Sequence, residues 1–425
     1  MLTAVVGINW GDEGKGRMVD LLSDNYDIVI RYQGGNNAGH TVVNDKGKFI
    51  LNLLPSGILR NETVNVMGPG MVIDVEHLSG EVARLREGGI KVTPEHLKIS
   101  DKATICMPYH KLLDILEEDR LADKKFGSTR RGIAPVYADK YYKKSIRMGD
   151  LLTPEILREK LDGIIEWKNL MIANGYGHEP IKTDDMLAWL MKFGMEFKDY
   201  ICDTTQYLTA AVNDGKSIMF EAQLGALRDI DFGIFPYTSS SSTIAGYAPL
   251  GAGIPGQKLD ESIGIIKAYS SCVGEGPFTC ELFGKEGDEL REAGGEYGAA
   301  TGRPRRVGGF DVPASKYGVL MQGATSLALT KLDVLSYLKK IPVCTAYELE
   351  NGEKTGRFPL GVQLSKAKPV YEYFEGWNCD ISACRTFSEL PEKAREYVKY
   401  IEKVVDCPIQ YVSVGAKRDE YIKMF

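Results

Sequence analysis

Leu2-Thr-Ala-Val-Val-Gly-Ile8 runs straight into Asn9-Trp-Gly-Asp-Glu-Gly-Lys-Gly-Arg17, and Met18-Val-Asp-Leu-Leu22 follows. A β-branched apolar run, a glycine-rich loop and apolar residues at helical spacing read as strand, phosphate-type loop, helix. The pattern recurs. Asp27-Ile-Val-Ile-Arg31 precedes a second glycine-rich loop, Ser217-Ile-Met-Phe220 precedes Glu221, and Ser326-Leu-Ala-Leu-Thr330 precedes Lys331-Leu-Asp333. Apolar strands ending in polar loops predict an α/β fold, a large and mostly parallel central sheet flanked by helices, with ligands at the carboxyl ends of the strands. Residues 151 to about 210 read as a helical insertion capping that sheet, with Pro154 near a helix start and Met186, Leu190, Phe193 and Phe197 at apolar spacing. The whole of 1–425 is expected to form a single domain carrying this insertion. Two stretches rich in turn formers, 237–256 and 294–309, are long enough to be functional loops.

A chain of 425 residues with 44% hydrophobic content can bury a large core, and its net charge of −6 argues against a nucleic-acid or membrane-surface protein. An anionic substrate therefore needs a local basic site. The eight cysteines are scattered without a C-x-x-C pair, as expected of reduced thiols in a cytoplasm. The run from Leu2 to Ile8 has no basic n-region and is too short for a signal or a membrane span, so no targeting segment is expected.

The first loop departs from a standard P-loop, G-x-x-x-x-G-K-[ST], whose hydroxyl holds Mg²⁺. Lys15 is present, but Gly16 and Arg17 follow it. A metal on a bound nucleotide needs another oxygen, and Asp12 is the candidate. Gly11, Gly14 and Gly16 let backbone N–H groups approach phosphate oxygens at a helix N-terminus. In the second loop, Gln33-Gly-Gly-Asn-Asn-Ala-Gly-His-Thr41, glycines around His40 suggest an anion beside a group able to donate a proton near neutral pH.

Trp10-Gly-Asp-Glu-Gly-Lys-Gly16 and Asn36-Asn-Ala-Gly-His-Thr41 resemble the signatures of the adenylosuccinate synthetase family. The resemblance continues in order through Gly127-Ser-Thr-Arg-Arg-Gly-Ile-Ala-Pro135 with Tyr137 and Lys140, Lys267-Ala-Tyr269, Val273-Gly-Glu-Gly-Pro-Phe278, Thr301-Gly-Arg-Pro-Arg-Arg306, Thr330-Lys-Leu-Asp-Val-Leu335, Gly376-Trp377, Asp380-Ile-Ser382 and Val412-Ser-Val-Gly415. Only about 155–210 carries no motif of the family. The resemblance implies a ligase that joins IMP to L-aspartate: the γ-phosphate of GTP goes to the 6-oxygen of IMP, and the aspartate amine displaces it. This is the first committed step of AMP synthesis from IMP.

The resemblance assigns catalysis to Asp12 as base, His40 as donor to the 6-oxygen and the phosphoryl group, and Lys15. Mg²⁺ falls to Asp12 and the carbonyl of Gly39. IMP falls to Asp12, Glu13, Gly14 and Lys15, to Asn37, Ala38, Gly39 and His40, to Thr129, to Gln223 or Leu224, to Thr238 and Ser239, to Arg303, and to Lys143 from the neighbouring subunit of a homodimer. GTP falls to Gly11, Asp12, Glu13, Gly14, Lys15, Gly16 and Arg17, to Gly39, His40 and Thr41, to Arg305, to Lys331, Leu332 and Asp333, and to Ser413, Val414, Gly415 and Ala416. Aspartate falls to Ala299, Ala300, Thr301, Gly302, Arg303 and Arg305. The chemistry of two assignments is legible independently: a carboxylate at Asp333 accepts from guanine N1–H and its 2-amino group, and an arginine loop forks onto a dicarboxylate.

The chain departs from the family in having Asn9 for glutamine, Ala134 for glycine, Pro304 for arginine and Lys143 for arginine. Leu224 stands at the family's IMP-reading glutamine with Gln223 beside it, and Ser239 stands at a threonine with Thr238 beside it. A GTP-switch protein would need a P-loop hydroxyl at position 16 and would leave the arginine loop unexplained. Another nucleotide-dependent ligase on a related fold is the second rival. Gly251-Ala-Gly-Ile-Pro-Gly256 satisfies G-x-G-x-x-G without a preceding strand, and Asp231-Phe-Gly233 has no H-R-D partner, so neither marks a dinucleotide or kinase site.

Overall fold

The computed structural model describes residues 1–37, 39–44, 47–298, 302–359 and 361–425. Ten strands form its main sheet. In chain order they are β1 (Leu2–Gly7), β2 (Ile28–Arg31), β3 (Val64–Met67), β4 (Leu97–Ser100), β5 (Ile201–Cys202), β6 (Ile218–Glu221), β7 (Glu261–Lys267), β8 (Ser326–Thr330), β9 (Ile409–Ser413) and β10 (Tyr421–Lys423). They lie side by side as β10, β9, β8, β7, β1, β6, β2, β3, β4, β5. Every adjacent pair is parallel except β9 with β10. The strands expected from the sequence at 2–8, 27–31, 217–220 and 326–330 are all present in this sheet. Their unbroken apolar runs reflect burial on both faces: Ala4, Val5, Val6, Val29, Ile30, Met219 and Phe220 have no exposed surface.

Strand order positions the site. On one side of β1 lie β6 and β2, on the other β7, β8 and β9, all running the same way. Their following loops therefore emerge together along one edge, where open α/β sheets bind ligands. These loops carry the sequences singled out above at 9–17, 32–41, 222–224, 331–333 and 413–416. The helix α1 (Lys15–Leu22) follows β1 directly.

The segment between β4 and β6 is mostly helical, as expected, and it also adds a strand to the sheet. Ile201–Cys202 forms the strand β5, which pairs with the otherwise unpaired edge of β4. Beside it, α4 (Leu157–Asn169) buries Leu157, Leu161, Ile164 and Ile165 in one cluster with Leu97 and Ile99 of β4. Preceding helices α2 (Pro108–Leu121) and α3 (Ile133–Tyr142) carry the 127–140 motif at their junction.

A buried polar knot ties these three helices. Asp139 of α3 accepts from Lys168 Nζ of α4 at 2.6 Å and pairs with His110 Nε2 of α2 at 2.8 Å, while His110 Nδ1 accepts from Met107 N at 2.9 Å. Lys168 and Asp139 side chains are each 2% exposed. His110 is thus structural. Replacing Asp139 by Ala strands a buried ammonium and a buried imidazole N–H, and is expected to cost about 3–5 kcal/mol in urea unfolding. A loss below about 1 kcal/mol, the range of an exposed pair, would show that the knot does not hold the insertion.

Candidate active site

The first loop is folded by its own charges. Gly11 at φ 102°, Asp12 at 59° and Gly14 at 98° take left-handed conformations, and Gly14 is the N-cap of α1 with no side-chain cap, leaving first-turn N–H groups for an anion. Glu13 is buried, and its Oε1 accepts from Asn9 N at 3.1 Å and Gly11 N at 2.8 Å. Glu13 Oε2 lies 2.7 Å from Lys15 Nζ, and Glu13 O accepts from Thr330 Oγ1 at 2.7 Å. The Glu13 carboxylate holds the loop in shape. A phosphate must share Lys15 with it.

Gly16 explains the missing P-loop hydroxyl. A Cβ at Gly16 would lie 2.6 Å from His40 Cβ and 3.0 Å from His40 Cγ. Histidine from the second loop occupies the space that a serine or threonine side chain would need.

His40 opens a hairpin (His40–Asn44 with Gly47–Leu51) and is 7% exposed. Its Nδ1 lies 2.5 Å from Glu221 Oε1 at the end of β6. Glu221 is fully buried and also accepts from Ser56 N and Ser56 Oγ, each at 2.7 Å, with Arg31 at 4.0 Å. Burial favours the neutral acid, but His40, Arg31 and Ser56 outweigh it and lower the pKa of Glu221. Burial lowers the pKa of His40 more than Glu221 raises it, and Arg31 and Lys15 add to the lowering. With Nδ1 donating to Glu221, Nε2 accepts when the ring is neutral and donates as the imidazolium, the form that phosphate oxygens favour. Asn37 and Gly39 are half-buried beside it, with Asn37 Oδ1 accepting from Gly35 N at 3.3 Å. Thr41 is half-buried on the hairpin, paired with Ile50. Ala38 lies outside the described residues. Tyr137 of the 127–140 motif braces this loop, its OH accepting from Gly34 N at 2.9 Å and donating to Gly70 O at 2.8 Å.

Gln223 and Leu224 take different roles. The Gln223 amide is buried and donates to Gly35 O at 2.6 Å and Asn52 O at 3.1 Å, so it supports the second loop from beneath instead of facing the cleft. Leu224 is half-buried at φ 60°, with its Cα 3.2 Å from the Cβ position of Gly11. Ser239 Oγ contacts Ser241 Oγ at 3.2 Å, Ser241 Oγ donates to Gln33 Oε1 at 2.8 Å, and Gln33 Nε2 donates to Gln223 O at 2.9 Å. Thr238 is half-buried next to this chain.

The arginine loop divides its three guanidinium groups. Arg306 is pinned to Glu281 Oε2 by Nε at 2.9 Å and Nη2 at 2.6 Å. Arg303 is exposed, with Nη2 3.4 Å from Glu275 Oε1. Gly302 is itself left-handed at φ 65° and donates from its N to Gly298 O at 2.8 Å. Arg305 Nη1 donates to Glu296 Oε2 at 2.7 Å, and its Nε lies 3.2 Å from Asp12 Oδ2. Ala299, Ala300 and Thr301 lie outside the described residues.

At the far end, Asp333 is half-buried at the start of a 3₁₀ turn, and burial raises its pKa against the opposing effects of Lys331 and Arg17. Lys331, at φ 61°, donates from Nζ to Gly294 O at 2.5 Å, and Leu332 N donates to Ser413 O at 3.3 Å. Arg17, expected at GTP, clamps the 413–420 loop, whose residues 413–416 carry the same expectation. Its Nη1 donates to Ser413 Oγ and Gly415 O, each at 2.6 Å, and its Nη2 donates to Glu420 O at 3.2 Å. Val414 is buried with its N on Glu420 O at 3.0 Å, and Ala416 is exposed at the loop tip.

Thr129 is exposed on the loop between α2 and α3, anchored by Ser128 Oγ and Gly132 N on the two oxygens of Asp114 at 2.6 and 2.8 Å. Lys143 is exposed at the left-handed end of α3. Asp12, Lys143, Leu224 and Lys331 are four of the eight non-glycine residues at positive φ among the described residues. Strained backbone of this kind collects where ligands are gripped.

A magnesium ion suits the donors present. The Asp12 carboxylate, 31% exposed to the cleft, and the Gly39 carbonyl are both hard oxygens. Among the described residues no cluster of three or more His, Cys, Asp or Glu could hold a metal, so these two must be supplemented by phosphate and water oxygens, as Mg²⁺ at a nucleotide normally is. Sequence reasoning missed Glu221 and Glu296. The signal for the first was a charged residue closing a buried apolar strand, as Arg31 and Lys267 also do.

A loop of left-handed residues at a helix N-terminus, a buried His–Glu pair, an arginine loop and an acidic strand end are set along one edge of a parallel sheet. Residues 4–422 match the family model described as adenylosuccinate synthetase. The adenylosuccinate synthetase of Lactococcus lactis subsp. lactis is 44% identical over 417 residues, covering 98% of this chain and 96% of that protein. That of Halothermothrix orenii is 45% identical over 421 residues, covering 99% and 97%. The fully ligated Plasmodium falciparum adenylosuccinate synthetase superposes with a TM-score of 0.93 at 36% identity, covering 100% of this chain and 99% of that one. A cyanophage S-2L succinoaminodeoxyadenylate synthetase shares the fold at a TM-score of 0.62 and 16% identity. The chain belongs to the adenylosuccinate synthetase family. Among the described residues, no helix is long and apolar enough to cross a membrane.

Proposed function

We propose that this ligase joins IMP to L-aspartate at the expense of GTP, through 6-phosphoryl-IMP, to give adenylosuccinate, GDP and phosphate. The observation that carries the reading is the contact of Gly16 with His40, which presses the acceptor side of the site against the phosphate cradle. Asp12, four positions before Gly16, takes the N1 proton of IMP as its 6-oxygen attacks the γ-phosphate. His40 Nε2 donates to that oxygen and to the transferring group, with Glu221 fixing the ring. Lys15 and the first-turn N–H groups of α1 stabilise the spreading charge. Magnesium, when bound through Asp12 and Gly39, neutralises the polyphosphate.

Leu224 and not Gln223 faces IMP in this reading, with Thr129, Thr238, Ser239, Asn37 and Arg303 around the nucleotide and Lys143 arriving from the second subunit of a homodimer. Lys331, Asp333 and the 413–416 loop read guanine. Arg303 and Arg305 take the aspartate carboxylates, Arg305 also facing GTP. The chain acts as one domain in the cytoplasm.

A phosphate-release assay tests this. Release from GTP is expected only with IMP and L-aspartate both present; hydrolysis without IMP, or equal use of ATP, would overturn it.

A further inference from the structure

We propose that Glu296 is a positioning residue for this reaction, holding the Arg305 guanidinium in one orientation so that it neutralises Asp12 before ligands bind and meets them afterwards without rearranging. The inference rests on the proposed use of Arg305 toward nucleotide and aspartate, and goes beyond it by assigning the group that sets Arg305.

Glu296 has no exposed surface. Its Oε1 accepts from Lys267 Nζ at 2.7 Å and Tyr269 OH at 2.5 Å, and its Oε2 from Arg305 Nη1 at 2.7 Å. One carboxylate thus joins the end of β7, the residue two beyond it and the arginine loop. The main chain repeats the grip, because Arg305 N donates to Glu296 O at 2.9 Å. Glu296 and Arg305 form the neck of the loop, and Gly298 N donates to Arg303 O at 2.8 Å just inside it. The neighbouring cations and partners hold the Glu296 carboxyl at a pKa of about 2, against its burial.

The two acidic partners of Arg305 differ. Its bond to Glu296 is short, directed and buried. Toward Asp12, Arg305 Nε is 3.2 Å from Oδ2 yet makes no hydrogen bond. That contact is charge without direction, and the Asp12 side chain is 31% exposed against 0% for Glu296. A ligand that draws Asp12 away leaves Arg305 anchored and its Nε free to bond. Lys267 and Lys331 add positive charge beside Glu296.

Glu296→Gln alone leaves Lys267 buried against a neutral partner and can fail to fold. The decisive variant is therefore K267M/E296Q, which removes the inner charges together. It is expected to melt within a few degrees of the parent yet lose about 10- to 100-fold in kcat, with KM for L-aspartate raised roughly tenfold and KM for IMP changed less than about threefold. Y269F, which deletes one hydrogen bond and no charge, is expected to lose about three- to tenfold in kcat at an unchanged melting temperature. Parent kinetics in either folded variant, or losses that track melting temperature and affect all three substrates alike, would overturn the proposal. R305L separates the two readings. An impaired R305L beside a parent-like K267M/E296Q rejects Glu296 alone, whereas a parent-like R305L rejects the use of Arg305 itself.

Discussion

Asn in place of Asp12 is expected to lower kcat by about 10³-fold or more while IMP affinity stays within about threefold. The substitution is unusually clean here. Asp12 sits at φ 59°, where asparagine is among the few side chains tolerated, so the loop keeps its path. Gly11 N and Asn9 N are held by Glu13 and not by Asp12, so the cradle survives as well. What disappears is the negative charge: the proposed base, the anionic character of the proposed metal ligand and the counter-charge to Arg305. Single-turnover phosphoryl transfer and calorimetric IMP binding check both halves. A variant retaining a tenth of parental turnover would remove Asp12 from the chemistry.

The second large effect concerns nucleotide choice. Asp333→Asn is expected to reduce kcat/KM with GTP by about 10²- to 10³-fold, because an amide presents a donor where guanine offers only donors. The same amide suits a 2-oxo purine, so XTP should become the better substrate. Burial already raises the pKa of Asp333, which marks a carboxylate stripped of water and suited to accept from a base edge. The Lys331 and Leu332 backbone that aims it is fixed independently, through φ 61° and the bond to Ser413 O. Unchanged GTP kinetics in the asparagine variant would place the base elsewhere.

Much of this arrangement could be read from the chain. The main-sheet strands anticipated were those with β-branched runs long enough to show burial on both faces, and their polar terminations located the site. β5 escaped because two residues, Ile201–Cys202, carry no periodicity, and their pairing is decided by the open edge of β4. Some side chains singled out in the sequence carry structural bonds that it could not show. Glu13, Arg17 and Gln223 have the chemistry of ligand groups, and each also bonds a backbone group of a loop at the strand ends. Glu221 and Glu296 are their converse: they meet His40 and Arg305 across 181 and 9 residues, contacts set by strand order in the one case and by a loop neck in the other, neither of which leaves a motif.

The Gly16–His40 contact has a consequence for what such a loop can become. A nucleotide switch needs a hydroxyl at this position, and a phosphotransferase of this design needs an imidazole in the same few cubic ångströms. One volume cannot house both. Gaining the side chain that would let this cradle work as a timer means displacing His40, the group proposed to hydrogen-bond the acceptor oxygen.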